Sequence, residues 1–231
     1  MFYQLIQKLN SLQNPAKAKI LQGFFKTGIG EYGEGDIFLG IQVSPLKTLA
    51  REYIDLSFAD LEKLLYSETH EYRYMALAIL RLKYEKGDEN IKKLVFDFTI
   101  KHKSQINNWD LVDSFIPYTF GNYLINRDTY ILYEFAKSEN LWTRRIAIIS
   151  TFAFIKQNLF EDTLKICEIL LNDKQDLIHK ATGWMLREVG KRDKDTLLLF
   201  LNKFHKIMPR TALRYSIEKF SKEDRIFYMS K

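Results

Sequence analysis

Each of three tryptophans stands three or four residues before a charged side chain, in the pairs Trp109–Asp113, Trp142–Arg145 and Trp184–Arg187. Residues at this spacing are neighbours on one face of a helix. Indole faces attract cations, a carboxylate can stabilise a positive charge, and guanidinium groups pair with phosphates. These residue types together suit a site that holds a flat cationic group against a polyanion.

The elements that must position these residues are helices. Apolar residues recur at helical spacing along almost the whole chain, and breakers such as Gly87, Pro117 and Pro209 separate the runs. The pattern predicts an all-α fold with helices over residues 2–12, 15–26, 45–54, 58–67, 70–86, 89–103, 109–116, 118–125, 128–138, 141–157, 160–172, 176–191, 194–207 and 210–219.

The helices are predicted to repeat. A common pattern of a charged residue, a small residue and aliphatic residues recurs, and it places four residues in equivalent positions: Ala76, Val112, Ala147 and Ala181. A period of this size, with two helices in each unit, is typical of HEAT-like solenoids. We expect a single domain over 1–231, with an N-terminal helical hairpin and loop over 1–44 and repeats over about 45–220. Such a stack would bring the helices that begin near 109, 141 and 176 side by side along one concave groove.

The basic charge is concentrated in the C-terminal part of the chain. Residues 140–231 hold 18 Lys and Arg against 11 Asp and Glu, a net of +7, whereas residues 1–139 have a net of −1. An excess of this kind is expected where a surface faces phosphates. Spare surface lysines are the alternative explanation.

The one irregular stretch, residues 27–41, contains Gly28, Gly30 and Gly33 in the spacing G-x-G-x-x-G. A dinucleotide-binding turn follows a strand, opens a helix and faces phosphates. Here no strand precedes the glycines, acidic residues crowd them, and the next helix is predicted to begin only at Pro45 with Ser44 as its cap. The stretch is therefore predicted to be an ordered connecting loop.

Metal, disulfide and membrane functions find no support in the sequence. Cys167 is the only cysteine and lies in an apolar run, so no internal disulfide can form, and the four histidines show no metal-ligand spacing. The N-terminus does not resemble a signal peptide, and no apolar run approaches the ~20 residues of a membrane span. We expect a cytoplasmic protein with no cofactor and no metal.

Two acidic residues of the segment 107–113 have different explanations. Asp110 falls in the first turn of its helix, where the helix dipole favours a negative charge. Asp113 lies one turn later and has no such local reason. Each tryptophan, taken alone, is more simply explained by packing.

Taken together, the motifs resemble those of the AlkD family of DNA alkylation repair glycosylases. The matching features, in chain order, are Phe38-Leu39-Gly40-Ile41, Trp109 to Asp113, Trp142 to Arg145, and Gly183 to Glu188. The resemblance implies that Asp113 is the catalytic carboxylate and that Trp109 and Trp184 are walls around the lesion nucleotide. It also implies DNA contacts by Arg145 and Arg187, with Trp142 on the same surface.

The function that the resemblance implies is hydrolysis of the N-glycosidic bond of N3-alkyladenine and N7-alkylguanine in duplex DNA, by a monofunctional glycosylase that acts as a monomer. An alkylated purine is already cationic, so the enzyme needs mainly to stabilise the oxocarbenium-like sugar and to position water. Two alternatives remain open at this point: a non-catalytic protein that binds DNA structures, and a scaffold for protein interactions.

Overall fold

A computed structural model describes residues 1–230, and the regular structure in that range is helical. The α-helices are α1 (Phe2–Ser11), α2 (Pro15–Phe24), α3 (Val43–Glu52), α4 (Phe58–Leu65), α5 (His70–Lys86), α6 (Glu89–His102), α7 (Trp109–Phe115), α8 (Phe120–Leu124), α9 (Tyr130–Ala136), α10 (Leu141–Ser150), α11 (Phe152–Ile155), α12 (Glu161–Ile169), α13 (Asp176–Arg192), α14 (Lys194–Phe204), α15 (Arg210–Ser216) and α16 (Lys222–Met229). The predicted all-α class is confirmed.

Short polar side chains cap many of these helices. Each cap oxygen accepts a backbone N–H of the first helical turn, which has no partner inside the helix. The capping residues are Asn14, Ser57, Asp88, Asn140, Asp193 and Ser221. Each cap typically contributes about 1 kcal/mol to stability, which is why the sequence marks helix starts more sharply than helix ends.

The helices differ from the prediction in several places. The predicted helix 141–157 is divided into α10 and α11, because the hydroxyls of Ser150 and Thr151 donate to backbone carbonyls of the preceding turn and compete with the regular ladder. α3 begins at Val43, with Gln42 rather than Ser44 at the cap position. Pro45 still falls in the first turn, where its missing N–H costs no hydrogen bond. The short C-terminal α16 was not predicted.

The contacts group the chain into two compact units, Met1–Leu111 and Val112–Lys231. In the first unit, α5 is the central helix and packs against α3, α4 and α6. Met75, Ile79 and Leu80 of α5 are fully buried. The organisation as a single domain over 1–231 stays a prediction.

In the second unit, α13 is the central helix and packs against α10, α12, α14 and α15. The contact of α10 with α13 agrees with the predicted neighbourhood of the helices near 141 and 176. Gly183 lies where α13 approaches α15 most closely, since a Cβ there would stand 2.4 Å from the carbonyl oxygen of Ala212.

The four residues that the repeat pattern aligned, Ala76, Val112, Ala147 and Ala181, are all completely buried. Equal burial at a spacing of about 35 residues supports equivalent positions in successive helical units. The HEAT-like pairing and the concave groove stay predictions. Among the described residues, no helix combines the length and apolar character that a membrane crossing requires.

Candidate functional site

The segment Asn108–Asp113 forms the start of α7. The side-chain oxygen of Asn108 accepts the backbone N–H of Trp109 at 2.8 Å, and Asp110 lies in the first helical turn, as predicted. The boundary between the two units falls after Leu111, so Trp109 and Asp110 belong to the first unit and Asp113 to the second.

In the second unit, Asp113 receives a bidentate arginine. Arg145 donates from Nε to Oδ1 at 2.9 Å and from Nη2 to Oδ2 at 2.7 Å, and its Nη1 donates to the carbonyl oxygen of Leu177 at 2.6 Å. The Arg145 side chain is only 5% exposed, whereas that of Asp113 is 18% exposed. A planar guanidinium fork therefore fixes the plane of the carboxylate, while part of the Asp113 side chain remains accessible.

The structure thus brings together two of the sequence-predicted site residues. Asp113 and Arg145 are 32 residues apart in sequence, and the repeat period is what predicted their proximity. The partners of Arg145 were not predicted: its guanidinium group holds the Asp113 carboxylate and the backbone carbonyl oxygen of Leu177. A contact between Arg145 and a DNA phosphate stays a prediction.

Trp142 lies on the same helix as Arg145 and is buried, with 7% of its surface exposed. Its backbone N–H donates to the Asn140 cap. A buried indole acts first through packing, and a DNA contact by Trp142 stays a prediction.

Trp184 and Arg187 lie one turn apart on α13, as predicted. The half-buried Trp184 donates its indole N–H to Glu188 at 3.1 Å, and its ring lies 5.8 Å from that of Phe152. Arg187 forms an ion pair with Glu218, a partner that sequence reasoning did not identify.

In the first unit, Trp109 is held by aromatic neighbours of the N-terminal hairpin and loop. Its ring stacks on Phe25 at 5.2 Å, meets the edge of Phe24 at 5.9 Å, and donates its indole N–H to the Tyr32 hydroxyl at 3.2 Å. Sequence reasoning missed Tyr32, although an aromatic residue among four glycines was a visible signal. One role of the irregular loop is therefore to orient an indole.

The glycine-rich loop satisfies its own amides. The backbone N–H groups of Gly28 and Gly30 donate to the carboxylates of Glu31 and Glu34, each at 2.9 Å. These carboxylates occupy the place that phosphates would take in a nucleotide-binding turn, so the arrangement agrees with the predicted connecting loop.

A buried charge cluster lies beside this loop in the first unit. His70 Nε2 is 2.7 Å from Asp110 Oδ2, His70 Nδ1 is 3.4 Å from Asp36 Oδ2, and Arg73 Nη2 is 2.6 Å from the same Asp36 oxygen. Burial opposes protonation of His70, but the hydrogen bonds with Asp110 and Asp36 prevail and raise its pKa to about 9. Burial also disfavours ionised Asp36, yet its bonds to His70 and Arg73 lower its pKa.

This cluster extends the predicted role of Asp110. The residue does lie at the helix start, where its Oδ1 accepts the N–H of Leu111 at 2.8 Å, but it is also the main partner of a buried, protonated histidine. The sequence offered little signal for the pairing, because the three partners are separated by 34 and 40 residues.

The motif Phe38–Ile41 is held by one buried carboxylate. Glu71 accepts the backbone N–H groups of Leu39 at 2.9 Å, Gly40 at 2.8 Å and Ile41 at 3.2 Å. Gly40 has a φ of +82°, and a Cβ there would stand 2.3 Å from the carbonyl oxygen of Asn14. Only glycine fits this position.

Comparisons with known proteins agree with this architecture. A model of the family described as DNA alkylation repair enzyme matches residues 5–220. A comparison with curated proteins finds no match. Among solved structures, the chain is similar to a predicted DNA alkylation repair enzyme from Enterococcus faecalis, with 18% sequence identity, a TM-score of 0.69, and coverage of 91% of this chain and 97% of the other. At this identity the likeness concerns the α-helical repeat fold.

Proposed function

The chain belongs to the DNA alkylation repair enzyme family, whose match spans most of its length, and from that membership we propose that it is a monofunctional DNA glycosylase. Its substrates are cationic alkylpurines, N3-alkyladenine and N7-alkylguanine, in duplex DNA. The observation that carries the proposal is the Asp113 carboxylate, which Arg145 holds in a fixed plane while 18% of the side chain stays exposed.

The proposed chemistry requires mainly a negative charge that the protein holds close to the sugar. Alkylation at N3 or N7 makes the purine a good leaving group, so no general acid is required. As the glycosidic bond lengthens, positive charge develops on the sugar, and a preorganised carboxylate lowers the energy of that state. Asp113 also accepts a hydrogen bond from the attacking water, which adds to the sugar carbon and loses its proton to the solvent as the neutral base departs.

Other residues support binding of the substrate. The indole faces of Trp109 and Trp184 supply cation–π attraction, worth roughly 0.5–2 kcal/mol each. The net charge of +7 over residues 140–231 favours a polyanion. Arg187 is the proposed phosphate contact, and Arg145 is proposed to orient Asp113 in addition to its predicted DNA contact. Action as a monomer, without cofactor and in the cytoplasm, is part of the same proposal.

The test compares two carboxylates that arginines hold in the same way. Asp173 receives Nε of Arg144 at 2.5 Å and Nη2 at 3.3 Å, but no DNA role is proposed for it. We expect Asp113→Asn to slow single-turnover release of 7-methylguanine from methylated duplex DNA by roughly 10²–10³-fold. Asp173→Asn should change the rate less than about threefold, since Asn keeps the shape and Asp173 is not proposed to stabilise the sugar cation.

Released bases are measured by chromatography, and duplex binding is measured in parallel. If the wild-type protein releases no base above the spontaneous rate but binds duplex DNA, it is a DNA-binding module and not a glycosylase. If the protein neither binds duplex DNA nor releases the base, its role is instead that of a scaffold for protein interactions. Equal losses in Asp113→Asn and Asp173→Asn would mean that Asp113 acts through folding alone.

A further inference from the structure

The first unit contains a cavity of about 460 Å³ that the proposed reaction does not use. It lies among α2, α3 and the start of α5, and apolar side chains form most of its wall. Three phenylalanines border this space: Phe24, whose ring is exposed, and the buried Phe25 and Phe38, whose rings stack on each other at 5.1 Å. A mostly apolar, concave space of this size with a few polar groups is typical of small-molecule sites.

The polar groups at the wall favour a ligand that donates hydrogen bonds. The Asp110 carboxylate borders the cavity and keeps lone pairs beyond those that His70 and the Leu111 amide use. The Tyr74 hydroxyl lies nearby, and burial together with the negative charge of Asp110 raises its pKa, so the phenol stays protonated. The wall therefore offers a carboxylate acceptor beside aromatic faces.

The opening of the cavity is lined by apolar side chains that solvent reaches. Ile20, Phe24 and Val43 all border the space and are exposed. An apolar ligand without N–H groups would desolvate Asp110 and give nothing in return. A flat heterocycle with N–H donors can pack against the Phe24 ring and donate hydrogen bonds to the Asp110 carboxylate.

We propose that this cavity binds a free purine base, with one face against the exposed Phe24 ring and its N–H groups donating to Asp110. The identity of the ligand rests on the proposed function, because a free alkylpurine is the product of that reaction. No bond is made or broken in the cavity, so binding is measured without catalysis.

Titration calorimetry with 7-methylguanine and with 3-methyladenine tests the proposal, with indene as a flat bicyclic ring that has no N–H. We expect saturable binding of both purines and at least tenfold weaker binding of indene. Phe24→Ala should weaken purine binding roughly three- to tenfold, the range expected for one aromatic contact. Phe227→Ala is the matched control, because Phe227 is 63% exposed, as Phe24 is 61% exposed, but does not border the cavity.

Asp110→Asn should weaken binding roughly tenfold through the lost charged acceptor. Because Asp110 also pairs with His70, its thermal unfolding is recorded, and Phe24→Ala decides the question if the Asn variant does not fold. Absence of purine binding at millimolar concentration, equal binding of indene, or equal losses in Phe24→Ala and Phe227→Ala would each overturn the proposal.

The failure of this proposal and of the proposed function can be told apart. Excision of alkylated bases without purine binding would remove the cavity site and leave the glycosylase. Purine binding without excision would remove the glycosylase and leave the cavity as a ligand site.

Discussion

At the scale of single residues, two carboxylates of the second unit illustrate how similar pairing can serve different ends. Asp113 and Asp173 each receive an arginine fork, but the Asp173 side chain is 5% exposed whereas that of Asp113 is 18% exposed. A buried pair of this kind mainly fixes its neighbours in place. Partial exposure leaves Asp113 able to meet a ligand, which is why the catalytic proposal concerns this residue.

His70 gives a prediction at the same scale. Its pKa is raised from 6.5 to about 9 by Asp110 and Asp36 against burial and the nearby Arg73. A raised pKa contributes stability that is fully present below pH 6.5 and is lost as the pH rises through 9. We expect the free energy of unfolding to fall between these values by on the order of 2–3 kcal/mol, measured by urea denaturation.

The matched variants are His70→Gln and His205→Gln. The His205 ring hydrogen-bonds to the backbone carbonyl oxygen of Leu201 at 2.8 Å, whereas the His70 ring bonds to two carboxylates. His70→Gln should flatten the dependence on pH between 6.5 and 9, whereas His205→Gln should retain the wild-type slope. A wild-type stability that is constant over this range would contradict the assigned protonation of His70.

At the scale of elements, helix packing predicts opposite effects when two glycines are replaced by alanine. Gly23 in α2 has open space where a Cβ would stand, whereas a Cβ at Gly183 in α13 would stand 2.4 Å from the carbonyl oxygen of Ala212 in α15. Alanine ordinarily stabilises a helix interior by about 1 kcal/mol relative to glycine. We therefore expect Gly23→Ala to raise the melting temperature and Gly183→Ala to lower it, since forced separation of packed helices costs roughly 1–3 kcal/mol.

Calorimetric melting of the two variants and the wild type measures the difference. A Gly183→Ala protein that melts at or above the wild-type temperature would show that α13 and α15 have room to separate. Gly23→Ala is the control, because its added Cβ meets no neighbour and therefore tests helix propensity alone. Its helix content should be unchanged.

At the scale of the whole molecule, charge predicts how the protein binds DNA. Each phosphate contact releases counterions, so log K should fall with log salt concentration by roughly 0.9 per contact. We expect clearly salt-dependent binding to duplex DNA, and Arg187→Gln should reduce the slope by roughly 0.9. Lys93→Gln in the acidic N-terminal part is the control, since Lys93 is exposed and pairs with Asp97.

Fluorescence anisotropy with a labelled duplex at several salt concentrations gives the slope. A slope near zero for the wild type would contradict the phosphate-binding surface. Equal changes in both variants would mean that only total charge matters and that Arg187 makes no particular contact.

The parts of the molecule that the sequence predicts are those that repeat. Apolar periodicity and side-chain caps defined most helices, and the period of about 35 residues predicted that Asp113 and Arg145 would meet. The arrangement around His70 could not be predicted, because it depends on an irregular loop without periodicity. Contacts across 34 and 40 residues leave no local pattern in a single sequence.

The Glu71 carboxylate also affects the order in which segments of the first unit fold. It binds amides 30 to 32 residues earlier in the chain, and its own position depends on the first turn of α5. The amides of Leu39, Gly40 and Ile41 can therefore find their acceptor only after that helix exists. We expect this segment to become ordered late in folding and to open first, so its amide hydrogens should exchange with solvent sooner than those of the α5 core. The side chain that binds three consecutive amides of the segment 38–41 therefore also controls how long this part of the first unit keeps its native form.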